Sequence, residues 1–405
     1  MSSLNPFAVL RRHPNYKNFW IGQTVSQVGT WMSGMAQGWL ALVLSNDPLM
    51  VGLVAAAPAV PIILFSLPAG VLVDQTDKLR LVKTCQALML LDATAMWYLA
   101  WSRHVTIWWL LGLSFFFGSI SAVEIPARQA MQLDLVNKED LRAAIALNSS
   151  GFNLARIAGP SIAALVIAHV GLAWCFALNA VSFGAVLLGL SRIRLQPTAR
   201  VTSAVSQWAG LREGIVYLRR HRLIAGLMGL VAVYGILGGA YIPLMPVIAR
   251  EQLGVGASRY GLLLSSIGVG GLAGALFLAG LGARLPRGRL LRWSAFAFPV
   301  ALIALSTLRR ADFAYPILFG AGVFMILNGA GSNAILQHAV DDRMRGRLMA
   351  LYALLVVGLS NALGAPLAGW IARHVGVHWA IAGMSTFMLG YAAWGFRRWP
   401  EMSAV

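Results

Sequence analysis

The sequence predicts an all-α polytopic membrane protein with twelve transmembrane helices in two pseudo-symmetric halves of six, and three observations carry that expectation. Of 405 residues, 58% are hydrophobic and only 11% are charged, too little charge to cover a water-soluble domain of this size. The apolar residues gather into twelve runs near the roughly 20 residues that a helix needs to cross a hydrocarbon core about 30 Å thick. A short motif also recurs half a chain apart: His169, Val170, Gly171 and Trp174 return as His374, Val375, Gly376 and Trp379.

The twelve runs lie at about 19–44, 50–73, 80–102, 106–128, 143–168, 173–191, 223–249, 258–282, 289–308, 313–335, 347–372 and 377–397. Several contain Pro or Gly, which helices in a membrane bundle accommodate. The 42 glycines and 14 tryptophans suit close helix packing and interfacial anchoring. Polar turns such as Ser45–Pro48 separate some runs. The one long polar stretch, about 192–222, reads as a linker with a short amphipathic helix around Gln207–Arg220. Residues 1–191 and 223–405 then form the two six-helix halves. Arg142 and Arg347 precede matching helices at the same spacing of 205 residues as the turn motif. Parallel repeats of six helices are one way transporters place a site between halves.

The net charge of +18 does not point to nucleic acid, because the basic residues form short clusters between apolar runs, as in loops beside anionic lipid. Of the 32 Lys and Arg residues, 25 fall on the side shared by both termini, six fall opposite, and Arg156 alone lies within a span. By the positive-inside rule both termini are expected in the cytoplasm of a bacterial inner membrane. The first eighteen residues are polar and basic, so the first apolar helix is expected to serve as the insertion signal. Cys85 and Cys175 lie in or beside apolar runs and build neither a disulfide framework nor a metal site.

Two motifs stand out. After the second run come Gly70, Asp74, Asp77, Lys78 and Arg80, with only a degraded counterpart in Gly280, Arg284, Arg287 and Arg289. The expected roles are close helix approach at Gly70, a cap or ion pair at Asp74, and loop anchoring by Lys78 and Arg80. The fifth run holds Gly159 and Pro160, followed by Ala163 and Ala164, a softened helix expected to pack its small residues against the opposite half. Together these resemble the major facilitator superfamily over the whole chain. Asp77 stands where that family usually has Gly, and Lys78 where it has Arg. Gly159 and Pro160 are similar to the family's exporter motif, with Ala163 and Ala164 in place of glycines. Gly29, Thr30 and Trp31, then Gln37, Gly38 and Trp39, with Pro126–Ala130 and Ala146–Asn148, resemble the bacterial branch of enterobactin exporters and macrolide efflux proteins.

Ionisable residues inside spans cost about 2.5–3.5 kcal/mol each on insertion scales and are functional candidates. Three qualify, Asp92, Glu124 and Arg156, all in the first half. At a helical rise of about 1.5 Å per residue, Asp92 lies roughly 18 Å from the level of Arg80, and Arg156 roughly 21 Å from that of Arg142. Their similar depth predicts a pair that protonation of the carboxylate releases. Glu124 lies near the mouth, with Arg128 as its i+4 partner, and is the alternative proton carrier.

The resemblance implies that the first helix of each three-helix unit lines a cavity. Gln23, Gln27, Trp31, Gly34 and Gly38 share one helical face. Ser114, Gly118, Ser121 and Arg128 follow on the fourth run, Tyr234 and Tyr241 on the seventh, and Asn328 and Ser332 on the tenth. Such a pocket suits an amphipathic solute. No nucleotide-binding loop, catalytic triad or metal cluster is legible, so no enzyme activity or cofactor is expected and an ion gradient would drive the work. The resemblance therefore implies a secondary active transporter, a proton-coupled antiporter exporting a drug, siderophore or metabolite by alternating access. Its partners would be that solute, protons and the bilayer, with the chain acting as a monomer. Solute uptake by symport and a non-transporting membrane scaffold are the alternatives.

Overall fold

The computed structural model describes residues 7–193, 207–280 and 285–403, and these form helices joined by short turns, with no strand among them. In hydrocarbon a backbone must satisfy its own polar groups, which helices do within one segment. The first half runs through α1 (Ala8–Arg12), α2 (Pro14–Ser45), α3 (Pro48–Ala56), α4 (Ala59–Gln75), α5 (Lys78–Trp101), α6 (Ile107–Asp134), α7 (Leu141–His169) and α8 (Ala173–Ser191). Then follow α9 (Gln207–Arg220), α10 (Arg222–Val233), α11 (Tyr241–Val247), α12 (Ala257–Gly280), α13 (Arg287–Thr307), α14 (Ala311–Ala339), α15 (Asp342–Ala353), α16 (Ala365–Val375) and α17 (Val377–Arg398). A π-helical turn at Tyr234–Gly238 leads from α10 to α11, a second at Ile248–Gln252 extends α11, and a third at Leu354–Gly364 joins α15 to α16.

Over their described residues the twelve apolar runs are mostly helical, and the linker helix spans Gln207–Arg220. Among the described residues, nine helices are long and apolar enough to cross a membrane by length and composition. Helices α2, α5 and α17, over the three remaining runs, carry more polar or charged residues, such as Gln23, Gln27 and Gln37 in α2 and Lys78, Arg80 and Lys83 in α5. Linker residues 194–206 and Arg284 lie outside the described residues.

Side-chain caps start several helices: Asp47 accepts from Leu49 N at 2.9 Å, and Asp77 from Arg80 N at 2.7 Å. Each satisfies a backbone donor that the helix start leaves unpaired. The recurring turn motif is the same structure twice. Gly171 and Gly376 have φ of +100° and +88°, a region that favours glycine. The preceding His169 and His374 each place Nδ1 on the carbonyl four residues back, at 2.9 and 2.8 Å.

The chain forms two compact units, one of Met1–Leu40 and Val60–Ser203, the other of Ala41–Ala59 and Ala204–Val405. In the first, α5 packs against α6 and α8, and α7 packs against α8. Helix α2 is tied to α7 by Tyr16 Oη donating to the Ala144 carbonyl (2.8 Å) and Trp20 Nε1 donating to that of Leu147 (3.0 Å). Tyr16, Phe19, Val82, Ala127, Met131, Leu147 and Leu190 form a buried core beside these bonds. Arg12 and His13 both reach Asp140 at 3.0 Å, and Lys78 meets Asp134 at 2.7 Å.

The second unit is built on α13 packed against α14 and α17, with α12 along α14. It includes α3, because α3 lies on α16. Gly52 sits against the Ala365 carbonyl and Gly369 against that of Pro48, where a β-carbon would not fit. Two arginines hold the turn before α3. Arg373 pairs with Asp47 at 3.4 Å, and Arg250 donates to the Leu42 carbonyl at 3.4 Å and to Asn46 Oδ1. The linker helix α9 packs on α15, with Glu213 paired to Arg347 and Tyr217 Oη donating to Asp341 Oδ2 at 3.1 Å.

Candidate functional site

Within the first unit, the seam of α5 and α6 holds a buried polar group. Glu124 accepts from Arg128 Nε at 2.9 Å and from Gln86 Nε2 at 3.1 Å. The Glu124 and Arg128 side chains are 5% and 13% exposed, so a carboxylate, a guanidinium and an amide share one dry site. Gln86 was not legible as a participant. Its signal was a polar residue six positions before Asp92 in an apolar helix.

Asp92 lies further along α5 and is buried, its Oδ1 without a hydrogen-bond partner. Among the described residues it forms no ion pair, so the pair with Arg156 inferred from equal depth is not made. The reason is lateral. Asp92 belongs to α5, which packs on α6 and α8, whereas Arg156 belongs to α7, which packs on α8 and is bonded to α2. Depth fixes one coordinate of a residue, not its neighbours.

The seam of α2 and α7 holds Trp31 and Gly159. Gln23 and Gln27, one turn apart on α2, each have a buried Oε1 without a partner. Trp31, one turn on, meets Phe152 of α7 edge to face at 5.8 Å. It also limits Gly159: a β-carbon there would lie 2.5 Å from Trp31 Cβ and 3.0 Å from both Met32 N and the Val28 carbonyl. The glycine of the Gly-Pro motif therefore packs against α2 of its own unit. Arg156 sits between Phe152 and Gly159 in sequence, both of which meet Trp31. Ser121 of α6 is buried and donates to its own helix, to the Phe117 carbonyl at 2.8 Å.

The loop motif after α4 resolves differently from its expected roles. Asp77, not Asp74, caps α5, because it stands directly before the first turn and reaches Arg80 N. Asp74 and Arg80 are exposed, and Lys78 spans to Asp134 of α6. Gly70 lies near the end of α4.

The second unit holds its candidates around the broken helix. Tyr234 and Tyr241 are both buried and flank Phe298 of α13, with ring centroids 6.4 and 6.0 Å away. Asn328 and Ser332, one turn apart on α14, are buried, with Nδ2 and Oγ unpartnered. Tyr234 and Asn328 line one cavity together with Tyr352 and Ser360. Tyr241 and Ser332 lie outside its lining. Neither Tyr352 nor Ser360 was legible from the sequence, although Ser360, Asn361 and Gly364 interrupt an otherwise apolar run.

The family profile described as transmembrane secretion effector matches residues 2–405. The chain is 23% identical to the staphyloferrin A transporter of Staphylococcus aureus over 83% of its own length and 84% of that protein. It is 22% identical to macrolide efflux protein A of Streptococcus pyogenes over 91% of this chain and 93% of that one. A bacterial homologue of the human lysosomal transporter Spinster, solved inward-facing and occupied, superposes with a TM-score of 0.75 at 13% identity. The match covers 98% of this chain and 97% of that one, and shows a shared fold. These relations describe a multi-pass membrane transporter and not an enzyme. The chain belongs to the transmembrane secretion effector family of the major facilitator superfamily.

Proposed function

We propose that this chain exports a small amphipathic molecule in exchange for protons, from a bacterial inner membrane with both termini in the cytoplasm. The observation that carries the reading is Asp92: a buried carboxyl group in a span, in no ion pair among the described residues and with its Oδ1 unmet. Such a group can exchange a proton without breaking a structural pair. Glu124, already engaged by Arg128 and Gln86, is the second candidate for coupling. Export follows the efflux protein among the relatives, and a siderophore-sized solute is favoured by the staphyloferrin A transporter. Residues 1–191 and 223–405 act as the two halves of an alternating-access cycle, joined by linker 192–222, and the chain works as a monomer. Gly70, Asp74, Lys78 and Arg80 gate the cytoplasmic side, with the Lys78–Asp134 tie holding the loop. Gly159 and Pro160 set the approach of α7 to α2. Gln23, Gln27, Trp31, Arg156 and Ser121 supply first-unit contacts to the solute, and Tyr234, Tyr241, Asn328 and Ser332 supply those of the second. One charge crossing 100 mV supplies about 2.3 kcal/mol, enough for more than tenfold accumulation at about 1.4 kcal/mol per decade.

The test compares accumulation of dyes, macrolides and siderophores in cells with and without the gene. The expected result is lower accumulation with the gene, reversed by an uncoupler and by Asp92→Asn. Proton-driven export that survives Asp92→Asn removes Asp92 as the carrier. Higher accumulation with the gene means uptake, and no change means a scaffold.

A further inference from the structure

Two rods of the second unit leave α-helical pitch where they meet. The π-helical turns Tyr234–Gly238 and Leu354–Gly364 pack against each other. Ser360 Oγ donates to the Gly235 carbonyl, which also accepts from Gly239 N at 3.2 Å. π turns inside helices are uncommon and gather at functional sites.

Beside this junction is a cavity of about 190 Å³. Its walls include the rings of Tyr234, Phe298 and Tyr352 and the thioether of Met325, and among the described residues no Asp, Glu, Lys, Arg or His lines it. Both tyrosine hydroxyls are already committed, Tyr234 to the Ala295 carbonyl and Tyr352 to that of Gly329 at 3.1 Å. They therefore offer aromatic surface and no spare donor. One polar group in the lining is left over. Asn328 is 5% exposed, and its Nδ2 has no hydrogen-bond partner. A buried amide donor without an acceptor is destabilising, and an acceptor brought by a ligand removes that cost.

We propose that this cavity is a subsite for an uncharged, ring-bearing part of the transported molecule, with a carbonyl-type oxygen accepting from Asn328 Nδ2. Size fits one ring, since a cavity of about 150 Å³ takes benzene. Charge is excluded because the walls hold no counter-charge for a buried ion. Met325 provides a soft contact to the ring. The inference rests on the transport reading and specifies which portion of the solute the second unit holds.

The test uses the full-length purified chain with ¹³C-methyl-labelled methionine, its Met325 resonance assigned through Met325→Leu. Benzamide is the probe, and toluene is the control that lacks the acceptor. The Met325 methyl is expected to shift saturably with benzamide, about tenfold more weakly in Asn328→Leu. Gly329 has open space where its β-carbon would stand and lines the same cavity, so Gly329→Leu is expected to block the shift. A silent Met325 in the wild-type chain, or equal responses to benzamide and toluene, overturns the subsite. Unchanged benzamide affinity in Asn328→Leu overturns the role given to the amide. Export assayed on the same wild-type chain separates the two readings. Intact export with a silent Met325 removes the subsite alone, and a Met325 shift without export of any solute keeps the subsite and removes the export reading.

Discussion

Replacing Glu124 with Leu removes the acceptor shared by Arg128 and Gln86 and leaves a guanidinium in a site where its side chain is only 13% exposed. Breaking a buried ion pair from one side costs about 3–5 kcal/mol, because the remaining charge stays desolvated. Gln86 adds to the loss. Its Nε2 gives up a 3.1 Å bond while its Oε1 is already unpartnered, which is worth about 1 kcal/mol. Arg128 lies six residues before the end of α6 and can partly recover by extending toward water, which places the total near the lower end, about 3 kcal/mol. The 14 tryptophans make melting of the purified protein easy to follow by intrinsic fluorescence. A fall in Tm of roughly 5 °C is expected, given about 2–4 °C per kcal/mol for medium-sized domains and less for longer chains. Glu124→Leu combined with Arg128→Met removes both charges and is expected to restore most of the loss. The reasoning fails if the single variant melts like the wild type, or if the double variant melts as low as the single.

Three further expectations follow from contacts outside that seam. Gly159→Leu drives a side chain into Trp31 and the α2 backbone; overpacking of this kind costs about 1–3 kcal/mol, seen as a lower Tm, whereas Gly171→Ala is expected to lose less because only its φ of +100° opposes it. Asp47→Ala removes the cap of α3 and the partner of Arg373, an expected loss of about 1 kcal/mol from the cap that Asp47→Asn largely retains. Burial, with the hydrogen bond and charge of Asp341, raises the pKa of the Tyr217 hydroxyl above its ordinary value of 10.0. The bond to Asp341 therefore persists through the ordinary tyrosine range and is lost only as pH climbs past the raised value. Absorbance at 295 nm, wild type minus Tyr217→Phe, should titrate above the ordinary midpoint; titration at or below it refutes the contact.

Helix positions were legible because hydrocarbon imposes one rule on every span: length and apolarity suffice to place a rod, and α8 begins and ends where its run does. The linker helix was legible from its alternating charged and apolar faces. Gly171 and Gly376 were visible as a repeat, and their shared positive φ explains why the repeat keeps glycine. Neighbours were not legible. The helical rise gives Asp92 and Arg156 similar expected depths, yet depth along the membrane normal says nothing about the azimuth at which each rod faces its bundle. Segment Ala41–Ala59 joins the second unit through carbonyl-to-glycine contacts with α16 that no periodicity announces. Gln86 is not legible as a site residue because an amide carries no formal charge, although burying it demands a partner almost as strictly.

The stretch Leu354–Gly364 alters how the eleventh rod should be read as a pattern. One residue of α-helix corresponds to about 100° of rotation and about 1.5 Å of advance. A wheel drawn straight through α15 and α16 therefore assigns the far end to the wrong faces. Positions before Leu354 and after Gly364 belong to two separate phases, and only the second phase seats Gly369 on the Pro48 carbonyl. Deleting a single residue inside the stretch would re-phase α16 and rotate Gly369 off that seat, while every hydrophobicity profile of the chain would look unchanged.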